Sequence, residues 1–219
     1  MPVISLMLSC VYLLSVGISF PGRAAVKAGS VALLGCFALL NARTGAGTAL
    51  LISSAGDFLL ELPGMFAAGL AAFLTAHLVY TAAFIRRRAR HRTLSRARGL
   101  AIACVLIFAV AFGGWIAPAA GALKIPVVLY IAAITAMVVS SIAARFRSNW
   151  IPAGAILFLV SDAVLATNRF RTTMPMRDYI VWCAYYAGQF LIAWGSVEDD
   201  RAVAVDEYAM VDVPAHGAR

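Results

Sequence analysis

Residues 56–80 read GDFLLELPGMFAAGLAAFLTAHLVY, and this stretch decides how the chain is built. Asp57 lies in a run that is otherwise apolar enough to enter a membrane. The chain then turns at Leu62-Pro63-Gly64 and re-enters the apolar phase. On the return, Phe66, Gly69, Phe73, His77, Tyr80 and Phe84 recur at spacings of three or four, so they share one face of a helix. A face that mixes aromatic rings, a glycine and a histidine is not built for lipid tails. The stretch is therefore a hairpin of two membrane helices with an acid on one arm and a histidine on the other.

The whole chain has this character. Of 219 residues, 63% are hydrophobic and 13% charged, and the mean hydropathy is +0.88. A soluble domain of this length cannot hide so much apolar surface. The expectation is an all-α, polytopic integral membrane bundle of eight transmembrane helices, near 3–20, 24–41, 46–61, 64–85, 99–117, 122–143, 150–168 and 177–197. The first run lacks a positive leader and a small-residue cleavage site, so it reads as a retained helix and not a signal peptide. Cys10, Cys36, Cys104 and Cys183 fall in separate apolar segments without a CxxC, which argues for small buried hydrophobes and against a disulfide framework or zinc site.

The formal net charge of +8 raises the question of nucleic acid. Seven of the eighteen cationic residues, however, sit in Arg86–Arg98 between two apolar runs, without interleaved aromatics. That loop reads as a topology signal and a contact for anionic lipid headgroups. With eight spans, the loops on the side of the termini carry ten arginines and the other side six cations, so both termini are expected in the cytoplasm. Residues 1–197 form the membrane domain. Residues 198–219, with Glu198, Asp199, Asp200, Asp206, Glu207 and Asp212, form an acidic tail expected to be disordered.

Ionisable groups within a bilayer are costly and point to function. Asp57, His77 and Asp162 lie within spans, and Lys27, Lys124 and Glu61 lie near span ends. Tyr130, Tyr185, Tyr186 and Gln189 add polar groups. The topology puts Asp57, Asp162, Tyr130, Tyr185 and Tyr186 at similar depth on different helices, as a shared site requires. The plainer readings stand beside this. Ser53 and Ser54 can serve as local partners of Asp57. A histidine on an aromatic stripe is more often a hydrogen-bonding bundle residue than a catalyst, the tyrosines can simply pack, Lys27 and Lys124 can snorkel, and Glu61 can be solvated. GxSxG, HExxH, Walker A and GxGxxG motifs are absent. No metal site and no cofactor is expected.

Five segments in order, GDFLL, FAAGLAAFLTAHLVY, PVVLYIAAITAM, GAILFLVSDAVLA and YYAGQFLIA, resemble the YhhN/TMEM86 family of eight-helix membrane proteins, which includes lysoplasmalogenases. The resemblance covers roughly 46–197. It implies a lysophospholipid substrate held in the lipid bilayer, whose vinyl ether bond is hydrolysed to a fatty aldehyde and a glycerophospho-alcohol. It places the catalytic aspartates on Asp57 and Asp162. The supporting positions fall on His77, Tyr80, Tyr130, Ser161, Tyr185 or Tyr186, and Gln189. Lys27 and Lys124, with Arg169, are candidates to meet the phosphate, and Phe66, Phe73 and Phe158 to line the lipid chain among helices 3, 4, 7 and 8.

The chemistry suits these residues. Vinyl ether hydrolysis needs an acid that still holds its proton near neutral pH, and a carboxylate to stabilise the oxocarbenium ion and activate water. Two carboxyls in a low-dielectric site resist carrying two negative charges, so one keeps its proton. The parallel is with the paired carboxylates of glycosidases. Two other functions remain open on the residues alone: hydrolysis of a different lipid, and lipid binding or transport in which the aspartates relay protons or hold a cation.

Overall fold

The structure, a computed structural model, describes residues 1–18, 20–87, 94–144 and 146–211, with side chains as far as Asp199. It is 84% helix, with no strand among the described residues. Eight α-helices follow one another: α1 (Pro2–Leu14), α2 (Arg23–Leu40), α3 (Thr44–Glu61), α4 (Phe66–Arg86), α5 (Arg96–Ile116), α6 (Lys124–Ala143), α7 (Trp150–Phe170) and α8 (Arg177–Val211). Two 3-10 turns, Ala117–Ala119 and Gly121–Leu123, join α5 to α6.

Six of these helices are long and apolar enough to cross a membrane, which makes the chain a multi-pass membrane protein; the expected eight spans exceed that number by α1 and α3. Helix α1 stops at Leu14, short of the expected residue 20, because Gly17 takes a left-handed φ of 84° and ends the turn. Its 13 residues reach about 20 Å at 1.5 Å each, against a hydrocarbon core of about 30 Å. Helix α3 has the length of α2, but Ser53, Ser54, Asp57 and Glu61 reduce its hydropathy. At the other end, α8 does not stop at Val197 but continues to Val211. Asp199 is held there by the Arg87 guanidinium at 3.3 Å and the Arg147 backbone N–H at 2.5 Å. The rest of the acidic tail, 212–219, and the middle of the arginine loop, 88–93, lie outside the described residues.

Helices α2, α3 and α4 pack as consecutive hairpins, α7 packs along α8, and α6 bridges α4 and α7. Helix α5 sits at the periphery against α6. Of its residues only Ile116 is buried, while Leu100, Leu106, Ile107 and Val110 face outward as a lipid-facing helix should. Ser5 and Ser9 tie α1 to the bundle: Ser5 Oγ meets the Tyr186 hydroxyl at 2.7 Å, and Ser9 accepts from the Trp182 indole.

Glycines set the closest approaches, as expected of membrane helices. A Cβ on Gly56 would meet the Phe73 ring at 2.8 Å, and one on Gly69 would meet Leu60 at 2.6 Å, so both glycines mark contacts of α3 with α4. Between α7 and α8 the contact is backbone to backbone. A Cβ on Gly188 would stand 2.7 Å from the Gly154 carbonyl oxygen and 3.1 Å from the Phe158 nitrogen. Neither atom can rotate aside, so Gly188→Ala must push the helices apart. The expected result is a loss of about 1–3 kcal/mol, the usual range for overpacking. It is read as a lowered thermal midpoint of the detergent-solubilised protein, and an unchanged midpoint would show that the contact is not tight.

Candidate functional site

A cavity of about 410 Å³ opens at one end of the bundle, with Asp57, Lys27, Glu61, Tyr130, Asp162, Ser161 and Tyr185 all in its wall. The chain brings them together because α2, α3, α6, α7 and α8 each deliver a polar residue at the same end. The apolar part of the wall comes from elsewhere. Phe66, Leu70 and Phe73 of α4, Phe108 and Phe112 of α5, Val127, Ile131 and Ile134 of α6, and Leu165 and Ala166 of α7 line it. The cavity therefore has a polar side, built by α1–α3 and α8 together with Tyr130 of α6 and Ser161 and Asp162 of α7, and an apolar side built by the remaining lining residues of α4–α7. This differs from the expected lining by helices 3, 4, 7 and 8. Phe158 is fully buried and outside the wall, with its ring against Phe73, His77 and Tyr185.

Asp57 is 2% exposed. Its Oδ2 accepts from the Tyr185 hydroxyl at 2.6 Å, and its Oδ1 lies 3.8 Å from Lys27 Nζ. Behind Tyr185 the network continues: Gln189 Nε2 donates to the Tyr185 oxygen at 3.3 Å, and the Tyr80 hydroxyl donates to Gln189 Oε1 at 2.7 Å. Tyr80 and Gln189 are fully buried and reach the cavity only through Tyr185. Ser53 and Ser54 are not partners of Asp57, because Ser54 Oγ donates to the Ala28 carbonyl and Ser53 Oγ is buried without a partner.

Asp162 stands on α7, more open than Asp57, its side chain 14% exposed. The Tyr130 hydroxyl lies 2.6 Å from its Oδ2. His77, wholly buried behind Tyr130, has Nε2 at 3.0 Å from the same hydroxyl and 3.5 Å from Asp162 Oδ2, with Nδ1 at 3.3 Å from Met137 Sδ. Ser161 turns its hydroxyl to the Val181 carbonyl and so ties α7 to α8.

Two anticipated residues fall elsewhere. Tyr186 points away from the cavity to Ser5, because it is one residue, about 100° of helix, round from Tyr185. Lys124 is exposed at the start of α6 and does not line the cavity. Lys27 does not snorkel. It is 13% exposed and lies between Asp57 and Glu61.

Glu61, expected to be solvated at a span end, instead belongs to the partly buried polar cluster. It accepts from the Tyr12 hydroxyl at 2.7 Å and from Lys27 at 3.1 Å, and Arg23 stands 3.5 Å away. The signal was present in the spacing. Arg23 and Lys27 are four apart on α2, Asp57 and Glu61 are four apart on α3, and the two helices are adjacent, so two cations face two acids. Tyr12 carried no such signal. Among the described residues no group of three or more histidine, cysteine or acidic side chains is placed to hold a metal ion.

An all-helical membrane bundle with Asp57 and Asp162 in the wall of one cavity defines the class. Within that class the chain belongs to the YhhN family, whose profile matches residues 22–196. It is 34% identical over 168 residues to a Mycobacterium tuberculosis protein named lysoplasmalogenase, covering 72% of this chain and 64% of that protein, and equally to its Mycobacterium bovis counterpart. It is 33% identical over 148 residues to human lysoplasmalogenase TMEM86B, covering 66% of this chain and 59% of that protein. The match thus spans just under two thirds of the mycobacterial relatives' length. No solved structure matches the chain significantly.

Proposed function

We propose that this protein is a membrane lysoplasmalogenase, cleaving the vinyl ether bond of a lysoplasmalogen to a fatty aldehyde and a glycerophospho-alcohol. The observation that carries the reading is the pair Asp57 and Asp162, distant in sequence yet in the wall of one cavity that is polar on one side and apolar on the other. The names of its relatives point the same way. All eight helices cross the membrane in this reading, α3 packed between α2 and α4, and the short α1, with Val3, Ile4, Met7 and Val11 facing lipid, crossing where the bilayer thins to meet it. Both termini and the acidic tail 198–219 then face the cytoplasm of a cell-membrane protein. Arg43, Arg86 and Arg87 gather with Phe146 and Ser196 at the end of the bundle opposite the cavity mouth, so the mouth faces away from the cytoplasm.

The single alkenyl chain lies along the apolar wall of α4–α7, and the vinyl ether sits between the two carboxyls. One carboxylic acid gives its proton to the β-carbon, leaving an oxocarbenium ion at the α-carbon. The other, as carboxylate, faces that positive charge, and such preorganised electrostatics is usually the largest catalytic contribution. Water adds to the α-carbon and loses a proton to a carboxylate. The hemiacetal then breaks its C–O bond to glycerol, whose oxygen takes a proton, and aldehyde and alcohol leave. The overall change consumes one water and no net proton.

Arg169 lines the mouth with its guanidinium 4.7 Å above the Phe66 ring, and it carries the lipid phosphate. Arg23 and Lys27 are already engaged with acids. The test of function is aldehyde release from lysoplasmenylcholine by the purified protein. Hydrolysis of another lysolipid with no aldehyde from this one would transfer the fold to a different substrate. Proton-coupled transport without hydrolysis would refute an enzyme. Within that assay Arg169→Ala is expected to raise KM by about tenfold, the equivalent of one charge-assisted contact, with kcat little changed. Lys124→Ala should leave both constants as they are, and a KM effect at Lys124 instead would move the phosphate to α6.

A further inference from the structure

The two aspartates have different proton wiring, and the difference assigns their roles. Around Asp57 the hydrogen bonds run one way. Tyr80 donates to the Gln189 carbonyl, the Gln189 amide N–H donates to Tyr185, and Tyr185 donates to Asp57. An amide N–H cannot accept. The Tyr185 oxygen is therefore already receiving a proton from Gln189, and its own hydroxyl is committed to Asp57. With Lys27 on the other oxygen, both groups that reach the Asp57 oxygens favour its carboxylate.

Around Asp162 the wiring has two settings. The Tyr130 oxygen lies within hydrogen-bond distance of both Asp162 Oδ2, at 2.6 Å, and His77 Nε2, at 3.0 Å. It has one proton and two acceptors to give it to. When Asp162 is protonated, the acid donates to the Tyr130 oxygen and Tyr130 donates to His77 Nε2, while His77 Nδ1–H points at Met137 Sδ, which can only accept. When Asp162 has given its proton away, the Tyr130 hydroxyl turns to the new carboxylate. The first setting leaves every group in the trio bonded; in the second His77 Nε2 loses its donor, so competition for the one Tyr130 proton favours Asp162 in the form that keeps its own.

We propose that Tyr130, backed by His77, is a hydroxyl switch that makes Asp162 the proton donor, while the one-way chain Tyr80–Gln189–Tyr185 and Lys27 keep Asp57 as the standing carboxylate. This rests on the hydrolase reading for its kinetic consequences but not for its ground-state one. Tyr130 and His77 are positioning residues, acting through Asp162. The groups that face Asp162 are Tyr130 from α6 and His77 from α4, with Asp57 and Lys27 across the cavity on α3 and α2.

The test has two arms. In the kinetic arm, Tyr130→Phe removes the hydroxyl that steadies the Asp162 carboxylate, so the alkaline fall of kcat moves to higher pH. His77→Leu removes the alternative acceptor and leaves the Tyr130 hydroxyl on Asp162 at all times, so the same fall moves to lower pH. Each shift should be about one pH unit, the equivalent of one hydrogen bond to a charge. His77→Gln, which restores an acceptor, should return the profile toward that of the parent protein. Shifts in the same direction, or none, overturn the switch. If Tyr130→Phe does not fold, the contrast of Leu with Gln at position 77 still decides it.

The second arm needs no turnover. The infrared carbonyl band of a protonated carboxylic acid, in the substrate-free protein near neutral pH, should vanish in Asp162→Asn and persist in Asp57→Asn. The reverse pattern overturns the assignment. A protein that releases no aldehyde but shows the expected band pattern would refute the hydrolase and leave the wiring standing.

Discussion

Asp57→Asn and Asp162→Asn are each expected to lower aldehyde release by about 10²–10⁴-fold, the range that positioned general acid–base groups contribute. Asparagine suits both sites. It keeps the side-chain volume and an oxygen to accept from Tyr185 or Tyr130, so the networks behind each carboxyl survive. Asp162→Asn removes the proton that reaches the β-carbon. Asp57→Asn removes the negative charge that faces the oxocarbenium ion, while Glu61 remains to hold Lys27. Two controls make the result specific. Affinity for a saturated ether lysolipid, which cannot be hydrolysed, should stay within a few-fold. The double variant should be little worse than either single one, because groups acting as a unit lose their function together. Full activity in either single variant would eliminate the two-carboxyl mechanism.

Most of the fold was legible because membrane helices announce themselves by composition. All eight helices begin within about three residues of the expected positions, and the hairpin at Pro63-Gly64 turns where its sequence says it must. The errors lie where backbone geometry or a single contact overrides hydropathy. Val16 and Ile18 look as apolar as the rest of the first run, but Gly17 ends α1 before them. Asp199 is part of an acidic tail by composition, but contacts at Arg87 and the Arg147 backbone carry α8 past it.

The site divides the same way. Depth along each helix follows from counting residues, so Asp57, Asp162, Tyr130 and Tyr185 could be placed at one level. Azimuth does not follow, since it depends on how each helix is turned against its neighbours. Tyr185 and Tyr186 were therefore indistinguishable until packing put one on the cavity and the other on Ser5. Lys124 was credited with a role that its exposed position at the start of α6 does not support. Lys27, near a helix end by sequence, gained its meaning only from the two acids of α3 that the fold sets against it.

Lys27→Met should be the most destabilising substitution among the charged residues of the site. Lys27 Nζ is the near cation for Asp57 at 3.8 Å and shares Glu61, at 3.1 Å, with Arg23. Removing it leaves Asp57 buried with no cation beside it. Breaking a buried pair by deleting one partner typically costs about 3–5 kcal/mol, and the lower end applies here because Glu61 keeps Arg23 and the Tyr12 hydroxyl. The protein can avoid that cost by protonating Asp57, and that is the informative consequence: stability is then partly recovered at the expense of the standing carboxylate, so kcat falls even in the fraction that stays folded. Adding Glu61→Gln to Lys27→Met removes the second negative charge from the cluster and should raise the thermal midpoint again without returning kcat. Lys27→Arg, which keeps a cation in place, should retain most of both. Recovery of stability and activity together in the double variant would mean that Lys27 acts only as a structural counter-ion. A stable and fully active Lys27→Met would mean that Asp57 needs no cation, and the charge assignment on the polar side of the cavity would have to be rebuilt around Arg23.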